Sequence, residues 1–244
     1  MNIKKHIPNF ITLLNLSMGV GSIYLSNQGS GSALMYAGYL IFLAAIFDFF
    51  DGFAARLLNA KSDIGLQLDS LADMVSFGVA PGFILYNMIL LSSAGDMFVL
   101  NDFAILPLVA ILIPWGGALR LAKFNIDETQ QMGFKGMPTP ALAFFIASLP
   151  IIREILISDQ GILFTVFTSP VLLIVTAIVG IFLMTSSFPM FALKFTTYKW
   201  KGNEFRFSFL LISLLLIILL QIVAIPLIIV LYLVMSLIVV LKEK

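Results

Sequence analysis

The feature that most limits what this chain can fold into is its succession of apolar segments. About eight can be marked, near residues 8–26, 33–58, 67–91, 103–121, 138–157, 162–185, 207–221 and 223–241. A helix needs ~20 mostly apolar residues to cross a bilayer. Hydrocarbon offers backbone N–H and C=O groups no partner, so a spanning segment must satisfy them internally. The chain is 60% hydrophobic and 11% charged, against ~45–50% and ~25% in soluble domains. The expected fold is an all-α, polytopic membrane bundle of about eight helices, forming one transmembrane domain over residues 1–244. The last two helices, 207–241, are expected as a tight pair peripheral to the core bundle.

Charge placement orients the bundle. With the N-terminus in the cytoplasm, every Lys and Arg falls on the inner side except Arg153. Asp96, Asp102, Glu154 and Asp159 fall outside. This is the positive-inside pattern, and it puts both termini in the cytoplasm. The basic start and the apolar run over 7–26 have the outline of a signal peptide. The run is long, however, and no small-residue cleavage site follows it, so it reads as an uncleaved first span.

Several chemistries are excluded. The chain has no cysteine, hence no disulfide framework or thiolate site. Its one histidine, His6, leaves no His-rich metal centre. A net charge of +1 gives no footprint for nucleic acid.

What remains is a group of acids. Asp48 and Asp51 close the second apolar segment, and Asp69 and Asp73 open the third. At the helical repeat the first pair lies about 60° apart and the second about 40° apart, so each pair shares a face. The short loop over 57–64 makes the two helices antiparallel neighbours, and all four carboxylates can converge. Residues 33–47 provide ~22 Å of helix before Asp48, against a ~30 Å hydrocarbon core. The cluster therefore belongs near the cytoplasmic interface. A carboxylate within the membrane costs ~2.5–3.5 kcal/mol on insertion scales, and four unneutralised ones would also repel each other. Bound divalent cations would neutralise them, and hard oxygen ligands suit Mg²⁺, Mn²⁺ or Ca²⁺. Asp63 lies off both faces and is expected in the solvated loop. Gly52 and Gly65 remove side chains where a ligand or another backbone comes close, although membrane glycines also serve helix packing. Arg56, one turn beyond Gly52, offers a phosphate-binding fork or a membrane-side anchor.

These residues resemble a known family. Asp-x2-Asp-Gly-x2-Ala-Arg-x8-Gly-x3-Asp-x3-Asp is the pattern of the CDP-alcohol phosphotransferases. It is met at Asp48, Asp51, Gly52, Ala55, Arg56, Gly65, Asp69 and Asp73. The resemblance implies that two divalent cations, Mg²⁺ or Mn²⁺, bind the diphosphate of a CDP-linked lipid. An alcohol would then attack the lipid-side phosphorus and CMP would leave. It further implies that Asp48, Asp51 and Asp69 are metal ligands, and that Asp73 is both a ligand and the general base. Gly52, Arg56, Ser62 and Gly65 correspond to CDP-binding positions, as do Asn9 and Thr12 at the start of the first helix. A homodimer is also implied.

The segments 68–82, 118–125 and 134–140 resemble the phosphatidylserine synthase branch. That branch would use CDP-diacylglycerol and L-serine. Serine needs a cation for its carboxylate. Arg120 or Lys135 is expected to meet it, with Asn125 beside them, although each can equally be an interfacial anchor. Phosphatidylglycerophosphate or phosphatidylinositol phosphate synthase is the alternative within the family. An acceptor carrying phosphate should require more cations than this chain offers. A transporter would predict mid-membrane polar groups, broken helices and repeats. The acids here lie at one end instead.

Overall fold

A computed structural model describes residues 6–126, 134–190, 200 and 202–242. The described residues form α1 (Ile7–Ser26), α2 (Gly31–Leu57), α3 (Asp63–Asp73), α4 (Ala80–Leu90), α5 (Leu112–Ile126), α6 (Thr139–Leu156), α7 (Ile162–Thr168), α8 (Pro170–Thr185), α9 (Glu204–Leu220) and α10 (Ala224–Lys242). A π-helical turn, Met74–Val79, carries α3 into α4, and a 3-10 turn, Leu106–Ile111, leads into α5. Among the described residues, strand is confined to two antiparallel ribbons. β1 (Val99–Leu100) pairs with β2 (Phe103–Ala104), and β3 (Phe134–Lys135) pairs with β4 (Pro189–Met190). The fold is all-α, as expected.

α1 shows how lipid inverts the usual pattern. Its buried face is Pro8, Thr12, Asn15, Gly19, Ser22 and Ser26, recurring every three or four residues. Phe10, Leu13, Val20 and Tyr24 point outward. Small and polar residues on the inner face let helix backbones approach closely, while the apolar face meets lipid at no cost. Ser22 Oγ donates to the Ala37 carbonyl of α2 at 2.9 Å, fixing this contact. The centre of the bundle is the α3–α4 run and α6. Phe77, Ile84, Leu85, Ile146, Leu149 and Ile152 are fully buried there.

Among the described residues, five stretches are long and apolar enough to cross a membrane: Gly31–Leu57, Asp63–Leu90, Leu106–Ile126, Thr139–Leu156 and Glu204–Leu241. α7 and α8 make a sixth if taken as one span bent by 45°. The bend falls at Ser169, whose backbone is extended (ψ 126°). The residue before a proline is pushed out of the α region, and Pro170 follows. The apolar segment over 162–185 is thus two helices, not one.

Glu204–Leu241 is not a single rod either. The rings of Phe209 and Tyr232 lie 6.0 Å apart, whereas 23 residues of unbroken helix would separate them by ~35 Å. The chain reverses at Gln221 (φ 50°) through a 3-10 turn, Gln221–Val223, so that α9 and α10 pack side by side. The pair expected from sequence is therefore a hairpin.

The loop before the third span is shorter than expected. α3 begins at Asp63, because Ser62 Oγ accepts a hydrogen bond from Gly65 N at 3.1 Å and caps the helix. Asp63 therefore stands in the first helical turn, where the helix dipole favours a carboxylate, and not in the loop. It remains exposed. The ribbon of β1 and β2 occupies the start of the segment marked over 103–121, and helix runs on to Ile126.

Candidate active site: an aspartate cluster beside a cavity

The end of α2 and the start of α3 bring the acids together. Asp48, Asp51 and Asp69 each offer a carboxylate oxygen, and these oxygens all lie within 4.8 Å of one another. Asp48 also neighbours Asp73. Asp73 stands one turn further along α3 and accepts a hydrogen bond from Asn15 Nδ2 of α1 at 3.3 Å. The four are thus a close trio with Asp73 next to it.

The trio fits a divalent cation. Every donor is a carboxylate oxygen, the preference of hard cations. Asp51 is only 6% exposed, and its Oδ2 is buried with no hydrogen-bond partner. Such an atom carries a desolvation penalty of ~1–3 kcal/mol or more unless something engages it. Packing three like charges this closely adds to that penalty, and a bound cation relieves both.

Beside the trio opens a cavity of about 820 Å³. Its wall includes Asn9, Thr12, Gly52, Arg56, Ser62 and Gly65, the six positions expected to contact CDP, together with Asp51 and Asp69. Residues from α1, α2 and α3 therefore surround one space. A Cβ added to Gly52 would meet nothing within 4 Å, so packing does not demand glycine there. The space above it belongs to the cavity. At Gly65 a Cβ would come within 3.1 Å of both Asn9 Oδ1 and Ser62 Oγ. Its absence lets α1 approach the start of α3. Arg56 Nε donates to the Gly52 carbonyl at 3.0 Å, and its exposed guanidinium borders the cavity. Lys61 adds a second cation to the wall.

The residues expected at the acceptor fall in three places. Arg120 is buried on α5, donates to Thr139 Oγ1 at 3.3 Å, and leaves Nε without a partner. It lies near Asp73 on one side and Tyr232 on the other. Asn125 is exposed and bonds to Ser70, on the turn of α3 between Asp69 and Asp73. Lys135 enters β3 through its backbone, paired with Pro189; its side chain lies outside the described residues. Sequence reasoning passed over Asn15, Ser70, Ser76 and Tyr232. Asn15 had a usable signal: it falls three residues after Thr12 in an apolar helix, where polar side chains rarely face lipid.

Comparison with known proteins adds to this geometry. A family model described as CDP-alcohol phosphatidyltransferase matches residues 5–242. The chain is 40% identical over 140 residues to the CDP-diacylglycerol--serine O-phosphatidyltransferase of Bacillus subtilis, covering 55% of this chain and 70% of that protein. It is 38% identical over 141 residues to the protein of the same name from Methanocaldococcus jannaschii, covering 57% and 58%. To the archaetidylserine synthase of Methanothermobacter thermautotrophicus it is 39% identical over 145 residues, covering 58% and 56%. The chain thus spans little more than half the length of the two archaeal relatives.

Proposed function

The chain belongs to the CDP-alcohol phosphatidyltransferase family, and on that premise we propose that it transfers the phosphatidyl group of CDP-diacylglycerol to the hydroxyl of L-serine, releasing CMP. The observation that carries this reading is the single cavity shared by Asp51, Asp69 and the six CDP-contact positions. The relatives' names support serine as the acceptor.

Asp48, Asp51 and Asp69, joined by Asp73, would hold two divalent cations, Mg²⁺ or Mn²⁺ with Ca²⁺ as an alternative occupant. When bound, these supply positive charge against the diphosphate and the departing CMP. Arg56 and Lys61 receive the nucleotide's phosphates at the cavity mouth. Gly52 leaves room for the ligand to approach the α2 backbone. Asn9, Thr12, Ser62 and Gly65 line the opposite wall and fix the nucleotide's position. The oxygen of the serine hydroxyl forms a bond to the lipid-side phosphorus. The bond between that phosphorus and the CMP oxygen breaks, and the hydroxyl proton passes to Asp73. Arg120, with Nε uncommitted, meets the serine carboxylate. Asn125 and Lys135 are read as the outer edge of that subsite.

The same reading covers placement. α1 is taken as a further span and the α9–α10 hairpin as two spans in place of one, which brings the count to about eight and both termini to the cytoplasm. The site then faces the cytoplasm from the cell membrane, where nucleotide enters from water while acyl chains stay in lipid. The whole chain, 1–244, acts as one catalytic domain, and the resemblance carries the expectation of a homodimer.

Serine labelled with ¹⁸O at its hydroxyl tests the bond chemistry. The label should appear in the phosphodiester of the lipid product and be absent from CMP. Lipid product without the label would sink the reading.

A further inference from the structure

The proposed base does not stand alone. Asp73 is the last residue of α3, and the π-helical turn begins at Met74. Such turns are rare and are frequently found at functional sites. Two contacts from α1 fix this one. Asn15 Nδ2 donates to Asp73 Oδ1 at 3.3 Å. Ser76 Oγ, inside the π turn, donates to the backbone carbonyl of Asn15 at 3.0 Å. Gly19 lies one turn below, where a Cβ would sit 2.5 Å from Ser76 Oγ and 2.8 Å from its Cα. Only glycine allows α1 this close.

Asn15 is poorly explained as a packing residue. Its side chain is 0% exposed, yet its Oδ1 has no partner. A buried amide with an unmet acceptor carries a desolvation penalty that an apolar side chain would not. What the amide adds is its donor. A neutral donor holds a carboxylate in place without bringing a countercharge.

We propose that Asn15 is the positioning residue for Asp73: its amide holds one carboxylate oxygen in place and leaves the other to take the proton of the attacking hydroxyl. Ser76 and Gly19 keep Asn15 in register with Asp73. This rests on the phosphatidyltransferase reading, so turnover of the unaltered protein with CDP-diacylglycerol and serine is measured first. No turnover there would fail that reading and not this proposal.

Given turnover, Asn15→Leu keeps the branched shape and removes the donor. The expected result is a kcat lower by about 100-fold, as for a misplaced catalytic group. KM for CDP-diacylglycerol and the affinity for CDP should stay within about twofold, and thermal stability should fall by no more than the loss of one hydrogen bond explains. Asn15→Asp, of the same shape but with a like charge beside Asp73, should lose at least as much kcat and keep CDP affinity. Wild-type kcat in Asn15→Leu overturns the proposal. So does a matched loss of kcat, CDP affinity and thermal stability. If neither variant folds, Asn15 is a packing residue and the proposal is equally overturned.

Discussion

The amide nitrogen of Asn125, at the end of α5, lies 3.1 Å from the hydroxyl oxygen of Ser70 on α3. Ser70 in turn sits on the helical turn between Asp69 and Asp73. The bond ties the end of α5 to the turn of α3 that carries Asp69 and Asp73, across 55 residues of sequence.

Breaking that tie should disturb geometry more than affinity. Asn125→Ala is expected to lower kcat about tenfold and to destabilise the protein by about 1 kcal/mol, the usual worth of one hydrogen bond. Ser70→Ala should behave alike, and the double variant should lose little more than either single one, because one interaction is removed in all three. Kinetics with thermal unfolding in detergent measures both. Additive losses would place Asn125 in a role apart from Ser70, as a direct serine contact would.

The aspartates should separate by function. Asp73→Asn keeps the shape and removes the base, so turnover should fall roughly 10²–10⁴-fold, the usual range for general-base loss. Binding of Mn²⁺, read by electron paramagnetic resonance, should partly survive. Asp51→Asn should weaken Mn²⁺ binding and turnover together, because Asp51 belongs to the close trio. Full turnover in Asp73→Asn would remove it from the mechanism.

Arg120 is predicted to matter for serine and not for lipid. Arg120→Leu should raise KM for serine by roughly 10–100-fold, the range for losing a hydrogen bond to a charged group. KM for CDP-diacylglycerol should stay unchanged. A parallel rise in both would assign Arg120 to the fold, through its bond to Thr139.

The absence of cysteine makes the topology directly testable. Single cysteines at Asn59, between α2 and α3, and at Gly202, before α9, should react with an impermeant maleimide only after the membrane is opened. Cysteines at Asn101, in the β1–β2 turn, and at Gln160, between α6 and α7, should react in intact cells. The opposite pattern would invert the bundle.

Much of this was legible in the sequence, for physical reasons. Lipid forces a spanning helix to be apolar, so the segments showed. It also makes bare carboxylates intolerable, so Asp48, Asp51, Asp69 and Asp73 stood out. Their spacing, with Gly52, Arg56 and Gly65, was specific enough to suggest the family. Boundaries set by single side chains were not legible. Ser62 starts α3 two residues before Gly65, and Ser169–Pro170 splits α7 from α8. Tertiary partners were also hidden. That Asn15 meets Asp73, or that the last hairpin brings Tyr232 near Arg120, depends on which helix faces pack together. An apolar helix carries little periodic signal for that, since both lipid and core accept the same residues.

The central claim is the identity of the acceptor. It is tested most directly with purified protein in vesicles containing CDP-diacylglycerol and Mn²⁺ or Mg²⁺, offered serine, glycerol 3-phosphate or inositol phosphate separately. Phosphatidylserine and CMP should form one to one with serine, and neither lipid product nor CMP should form with the two phosphorylated acceptors. CMP release with glycerol 3-phosphate but not with serine would contradict the account.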